Sequence, residues 1–193
     1  MSPSARKPPR ARRRGAREEA ATPAGGALAE SILAAWRTSH RVTVFLVRHL
    51  PDAVWEAAVP GTPRKTIRAL AAHLHNSRCA WLKMLARPHG IAVPAAVDRR
   101  SVTRRQLVTA LERSGRGMEA LLLLGCRHGG EVPATPAYVW RNLPLDVGHL
   151  LAYFVAHEGH HRGQIVLVAR QIDARLPAAV TDGLWQWTKL ARE

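Results

Sequence analysis

The sequence predicts an all-α fold: a four-helix bundle with up-down connections, a short C-terminal helix and a disordered basic N-terminal tail. Three observations carry this expectation. Apolar residues recur at three- and four-residue spacing over four long stretches, Pro and Gly cluster between those stretches, and no alternating strand of convincing length appears. A chain of 193 residues is long enough to bury one good core. The domain is expected to span residues 27–193 behind a tail of residues 1–26.

The tail, MSPSARKPPRARRRGAREEAATPAGG, holds seven Lys/Arg and two acids and has no large apolar residue beyond Met1. It lacks the surface to offset its own ordering entropy. It also lacks the apolar run of a secretory signal. A first helix follows from Ala27 to about His49, with Leu28, Ile32, Leu33, Trp36, Leu46 and Leu50 on one stripe. Pro51, Pro60 and Gly61 then break the chain, and a second helix is expected from Thr62 to Ala86, with Thr62 as cap and Pro63 in the first helical position. Pro88, Gly90 and Pro94 close it. A third helix, capped by Ser101, carries Leu107, Leu111, Met118, Leu121 and Leu122 to about Leu124 and tolerates Gly115 and Gly117. After a Gly- and Pro-containing loop, the fourth and longest helix runs from Pro144 to Asp173, with Val147, Leu150, Phe154, Ile165 and Val168 turned inward. Beyond Pro177, TDGLWQWTKLARE forms a short terminal helix.

The charge is lopsided: 29 Lys+Arg against 14 Asp+Glu give +15, of which the tail contributes +5. Nucleic acid is therefore an expected partner only through the tail, since the basic residues of the body are scattered. With two cysteines, Cys79 and Cys126, neither a disulfide scaffold nor a paired-cysteine metal site can be built, which points to a reducing, cytoplasmic setting. No apolar run reaches the roughly 18–20 residues of a spanning helix, so no membrane association is expected.

Histidine is the more informative residue. Five of the ten fall in two windows, ALAAHLHNSRCAWL (His73, His75) and YFVAHEGHHRGQI (His157, His160, His161). His157 and His161 stand at i, i+4 on the fourth helix, so their imidazoles lie one above the other. Phe154, Ile165 and Val168 put that face at or beside the core. His73 shares a stripe with Leu70, Ser77 and Trp81, and His75 projects about 160° away, so only one of the two is expected to face inward. Buried imidazole nitrogens without partners cost roughly 1–3 kcal/mol each, and one cation bound by three rings satisfies them together. The competing reading is ordinary hydrogen-bonded core histidines, and His75 and His160 stand as alternative ligands. Convergence of three ring nitrogens to within about 3–4 Å would mark a site.

The HEGHHRGQI string on the last long helix, with a histidine eight residues before a tryptophan on the second (His73 and Trp81), resembles the DinB-like (damage-inducible B) family of four-helix-bundle proteins over about residues 27–190. The resemblance implies a divalent metal, zinc first with nickel or iron as alternatives, on His73, His157 and His161. It also implies a small-molecule substrate and either hydrolysis or transfer of a low-molecular-weight thiol; a homodimer is the expected assembly. Three neutral imidazoles would leave a coordination position open, the pattern of a catalytic rather than a structural site. The alternative is a non-catalytic nucleic-acid-binding or dimeric structural protein. Around the histidines, Gln164 is a candidate to orient a ligand ring and Glu158 is expected to be solvated or Arg-paired. Tyr153 and the six tryptophans are assigned to packing, as are Arg162 and Gly163, the latter for close approach of another helix or a ligand. Asn76 and Arg78 are assigned by default to the surface, with help in binding an anionic substrate as the alternative, and Cys79 to the core as a small buried residue.

Overall fold

The computed structural model describes residues 23–139 and 142–193. The expected tail lies outside the described residues up to residue 22, and helix α1 (Pro23–His49) begins a turn earlier than anticipated. A short helix, α2 (Asp52–Trp55), buries Val54 and Trp55. It is followed by an antiparallel hairpin of β1 (Ala58–Val59) and β2 (Thr62–Thr66), turned at Gly61 with φ of 72°. That turn moves the start of the next helix: residues 62–66 pair as a strand, so Thr66 rather than Thr62 becomes the cap. Its side chain accepts from the Ala69 amide at 3.1 Å, opening α3 (Ile67–Leu85).

A similar displacement occurs at α4 (Arg104–Arg127). Ser101 donates its hydroxyl to Asp98, and the cap is Thr103, in a capping box with Gln106. Helix α5 (Val147–Gln171) starts after Pro144 because Leu145 and Asp146 are still paired with the loop at Val132 and Glu131; Asp146 then caps by accepting from the His149 amide. The expected single terminal helix is two short ones, α6 (Ala178–Gly183) and α7 (Trp187–Leu190).

The four long helices form a bundle in which α1 and α3 lie across from each other, each flanked by α4 and α5. Its interior has two apolar clusters. One gathers Val47, Leu50, Ile67, Leu74, Leu107, Leu111 and Ile165, and the other Trp36, Leu82, Met118, Leu122, Leu150 and Phe154. Helices α1 and α5 pass from the second cluster to the first, whereas α3 and α4 both pass from the first to the second. Neighbours in sequence therefore alternate at α1–α3 and α4–α5, but α3 and α4 run parallel. The long connection through residues 91–103 returns the chain along the bundle, and Pro94 and its flanking residues are in no helix or strand. Where α4 meets α1 and α3, side chains are removed: a Cβ on Gly115 would lie 2.5 Å from the His40 ring, and one on Gly117 would lie 2.7 Å from Leu82. No helix among the described residues is long and apolar enough to cross a membrane.

Candidate metal centre

Between the two apolar clusters the four helices share a polar layer, and it sets the register of α3 against α5. Arg78 of α3 grips Glu158 of α5 with two bonds, Nε to Oε1 at 2.6 Å and Nη2 to Oε2 at 2.8 Å. Both residues are almost completely buried. Thr43 donates its hydroxyl to Glu158 Oε2 at 2.7 Å and receives a bond from Arg162 at 2.7 Å. Arg78 Nη1 also donates to the Leu111 carbonyl and to His40 Nδ1, both at 3.1 Å. Burial opposes ionisation of Glu158, but the charge and hydrogen bonds of Arg78, with Thr43 and Arg162, outweigh it and hold the carboxyl below its usual range. Burial and Arg78 push His40 down to about 4. A neutral His40 fits its contacts: Nδ1 accepts from Arg78, so Nε2 carries the proton toward Glu112 Oε2 at 3.1 Å.

This layer places the histidines. His73 precedes Arg78 on α3 by a little over a turn, and His157 is the residue before Glu158, so the buried pair carries both elements into register. His73, His157 and His161 meet at half-buried positions, with ring centroids 5.4 Å apart for His73 and His157 and 4.6 Å for each of the other two pairs. One nitrogen from each ring lies within 4.8 Å of the other two. Nitrogens about 2.0–2.1 Å from one ion are at most about 4.2 Å apart, a spacing this bound admits.

The donor set suits a cation. Burial, reinforced by the other rings, lowers the basicity of His157 and His161, and takes His73 to about 4, with Arg99 and Lys65 adding to the effect. All three rings therefore offer lone pairs at neutral pH. Gln164 Oε1 lies 2.8 Å from His161 Nδ1 and can only accept, which assigns the proton to Nδ1 and leaves Nε2 free. The Gln164 amide nitrogen lies 2.9 Å from His160 Nε2, so His160 is an outer neighbour of the cluster. Tyr153 stacks on His157 at 5.9 Å and meets Trp81 edge-on, forming the wall on that side.

Several sequence expectations need correction. His75 is fully buried as well as His73 being half-buried, because α3 is flanked on two sides: His75 turns toward α4, 3.0 Å from Ser114 Oγ and 2.9 Å from the Ala95 carbonyl. Arg78 is a core residue, not a surface one. Asn76 bonds both backbone groups of Val97 and so anchors the crossover loop. Gly163 has open space at its Cβ position, so among the described residues no other helix approaches it closely; it lines a cavity instead. Trp185 is 81% exposed and Trp187 lies at the surface, whereas Trp36, Trp55 and Trp81 do pack inside; Trp140 lies outside the described residues. Cys79 is buried as expected, and burial pushes its thiol up to about 11, which makes it inert.

The cluster opens on a cavity of about 680 Å³ that Lys65, Arg99 and Arg100 also line. Sequence reasoning passed over these three because they lie on a strand and on a distant loop, and no spacing rule links them.

Fold and site together define a class: helical bundles whose facing helices bring three imidazoles together beside a cavity. The family model of the DinB superfamily matches residues 35–165, more than half of the chain, and the chain belongs to that superfamily. The matched span contains all three histidines. No curated protein and no solved structure matches it significantly.

Proposed function

We propose that His73, His157 and His161 hold a divalent metal ion, zinc in the first instance with nickel or iron as alternatives, and that the protein acts there on a small molecule. The observation that carries this reading is the meeting of three neutral imidazoles from two helices at the head of a cavity. A bound divalent ion supplies Lewis acidity that acidifies a water or a thiol, so the reaction class is metal-dependent hydrolysis or thiol-dependent S-transfer. The chain's own groups have supporting roles. Gln164 keeps His161 in the tautomer with Nε2 free, Tyr153 and Trp81 limit water on one side, and the Arg78–Glu158 pair maintains the register of the ligand-bearing helices. Glu158 is committed to Arg78 and does not act as a base. The proposal includes a cytoplasmic location, in keeping with two free thiols, and a homodimer, for which exposed Leu167 and Trp185 offer apolar surface.

Metal analysis of the purified protein tests this. Near-stoichiometric divalent metal in the wild type and its loss in the His157→Ala, His161→Ala double variant are expected; equal metal content in the two proteins would sink the assignment.

A further inference from the structure

We infer that the cavity beside the three histidines selects small molecules carrying an anionic group, a carboxylate or a phosphate, held by Lys65, Arg99 and Arg100 with the rest of the molecule directed at His73 and His161. The cavity, about 680 Å³, has the size of a small-molecule site. Its walls carry three cations from two separate parts of the chain, β2 and the crossover loop, and no carboxylate lines it among the described residues. The side chains of these three cations make no ion pair or hydrogen bond among the described residues, although Asp98 on the same loop is within electrostatic reach of Arg100; Arg37, Arg68, Arg78, Arg104 and Arg162 by contrast are in direct ion pairs. His73 and His161 line the same cavity as these cations. All three side chains are exposed; like charges gathered around one concavity raise its positive potential, and an anion placed there relieves their mutual repulsion.

The loop that carries Arg99 and Arg100 is held in place. Asn76 of α3 bonds the Val97 amide and carbonyl at 2.9 and 3.0 Å, and Arg68 of α3 donates to the Arg100 carbonyl. Asp98 receives the Arg100 amide at 2.9 Å and the Ser101 hydroxyl at 2.7 Å. Both arginine backbones are thus fixed before any ligand arrives, which reduces the ordering cost of binding. Ala69 and Leu70 line the same cavity and supply apolar surface beside the cations and the histidines. The ligand this describes has a charged terminus, a compact apolar body and its reacting end at the imidazoles.

The inference rests on the proposed metal centre for what happens at the histidine end; anion selection itself needs no metal. Matched pairs separate the two. Binding of 4-phenylbutyrate against 4-phenylbutanamide, and of phenyl phosphate against phenol, is measured by calorimetric titration of zinc-loaded and of metal-free protein at 0.15 M salt. At least one acid should bind about tenfold or more tightly than its neutral partner in both forms, and a Lys65→Ala, Arg99→Ala, Arg100→Ala variant should lose the preference. A variant with the same change of charge on distal exposed residues, Lys83→Ala, Arg127→Ala, Arg175→Ala, should keep it, and single Lys65→Ala and Arg99→Ala variants should lose part of it. The inference is overturned if neither acid outdoes its partner, if the cavity variant retains the preference, if the distal variant loses it equally, or if the preference needs zinc. A protein that takes up no zinc yet discriminates would sustain this inference and remove the metal reading.

Discussion

At His161, Gln164 accepts the Nδ1 proton and so determines which nitrogen faces His73 and His157. Orienting partners of this kind are worth roughly 10- to 100-fold in metal affinity. Gln164→Ala should therefore weaken zinc binding by about tenfold in a chelator competition while far-UV circular dichroism stays unchanged; Gln164→Glu, which retains an acceptor, should keep most of the affinity. A pH effect belongs to His40, which faces Arg78, Glu112 and Glu158. Its folded value is about 4 against an ordinary 6.5, so the unfolded chain takes up the proton first. Stability should accordingly fall as pH drops below about 6.5 and go on falling to about 4, and at neutral pH His40 adds no such slope. The half-buried cluster histidines shift the same way, so the comparison that isolates His40 is urea unfolding of wild type and His40→Gln at pH 7 and pH 5. The variant should lose less stability between the two.

The contact between α3 and α5 depends on a buried ion pair, and the two ways of altering it have different consequences. Removing one partner leaves the other charge buried and unpaired, at a cost of about 3–5 kcal/mol. Glu158→Ala should lower the unfolding free energy obtained from urea denaturation by that amount, and Arg78→Met, Glu158→Leu together should recover a large part of it. The carboxyl is held below its ordinary range when folded, so its contribution is complete above the unfolded carboxylate value of about 4.3 and is lost as pH falls through the lower folded one. Helix existence was legible at this scale because the apolar stripes of α1, α3, α4 and α5 repeat at helical spacing. Helix starts were less so. Thr62 and Thr66, or Ser101 and Thr103, are equally good caps by residue type, and the choice fell to the hairpin at Gly61 and to the Ser101–Asp98 bond.

For the molecule as a whole, the proposed metal would bridge α3 and α5, so it should stabilise the bundle as a linked ligand does. At a free concentration about a hundredfold above its dissociation constant, zinc should add about 2.7 kcal/mol, seen as a rise in the thermal midpoint. The His157→Ala, His161→Ala protein should show no rise. The sequence by itself determined four amphipathic helices and the i, i+4 histidine pair, since each follows from spacing along one helix, while His75 and His160 stayed beside His73 as alternative ligands. It also indicated a core role for Cys79 and left Glu158 as either solvated or Arg-paired. Only the tertiary structure decided that α3 and α4 run parallel, that Arg78 is the partner of Glu158, that His75 is buried on a second side of its helix, and that Lys65 joins Arg99 and Arg100 around one cavity. The reason is that periodicity encodes which face of a helix is buried. It does not encode which other helix covers that face, and the pairing of residues 80 apart, as for Arg78 and Glu158, arises only when the chain is packed.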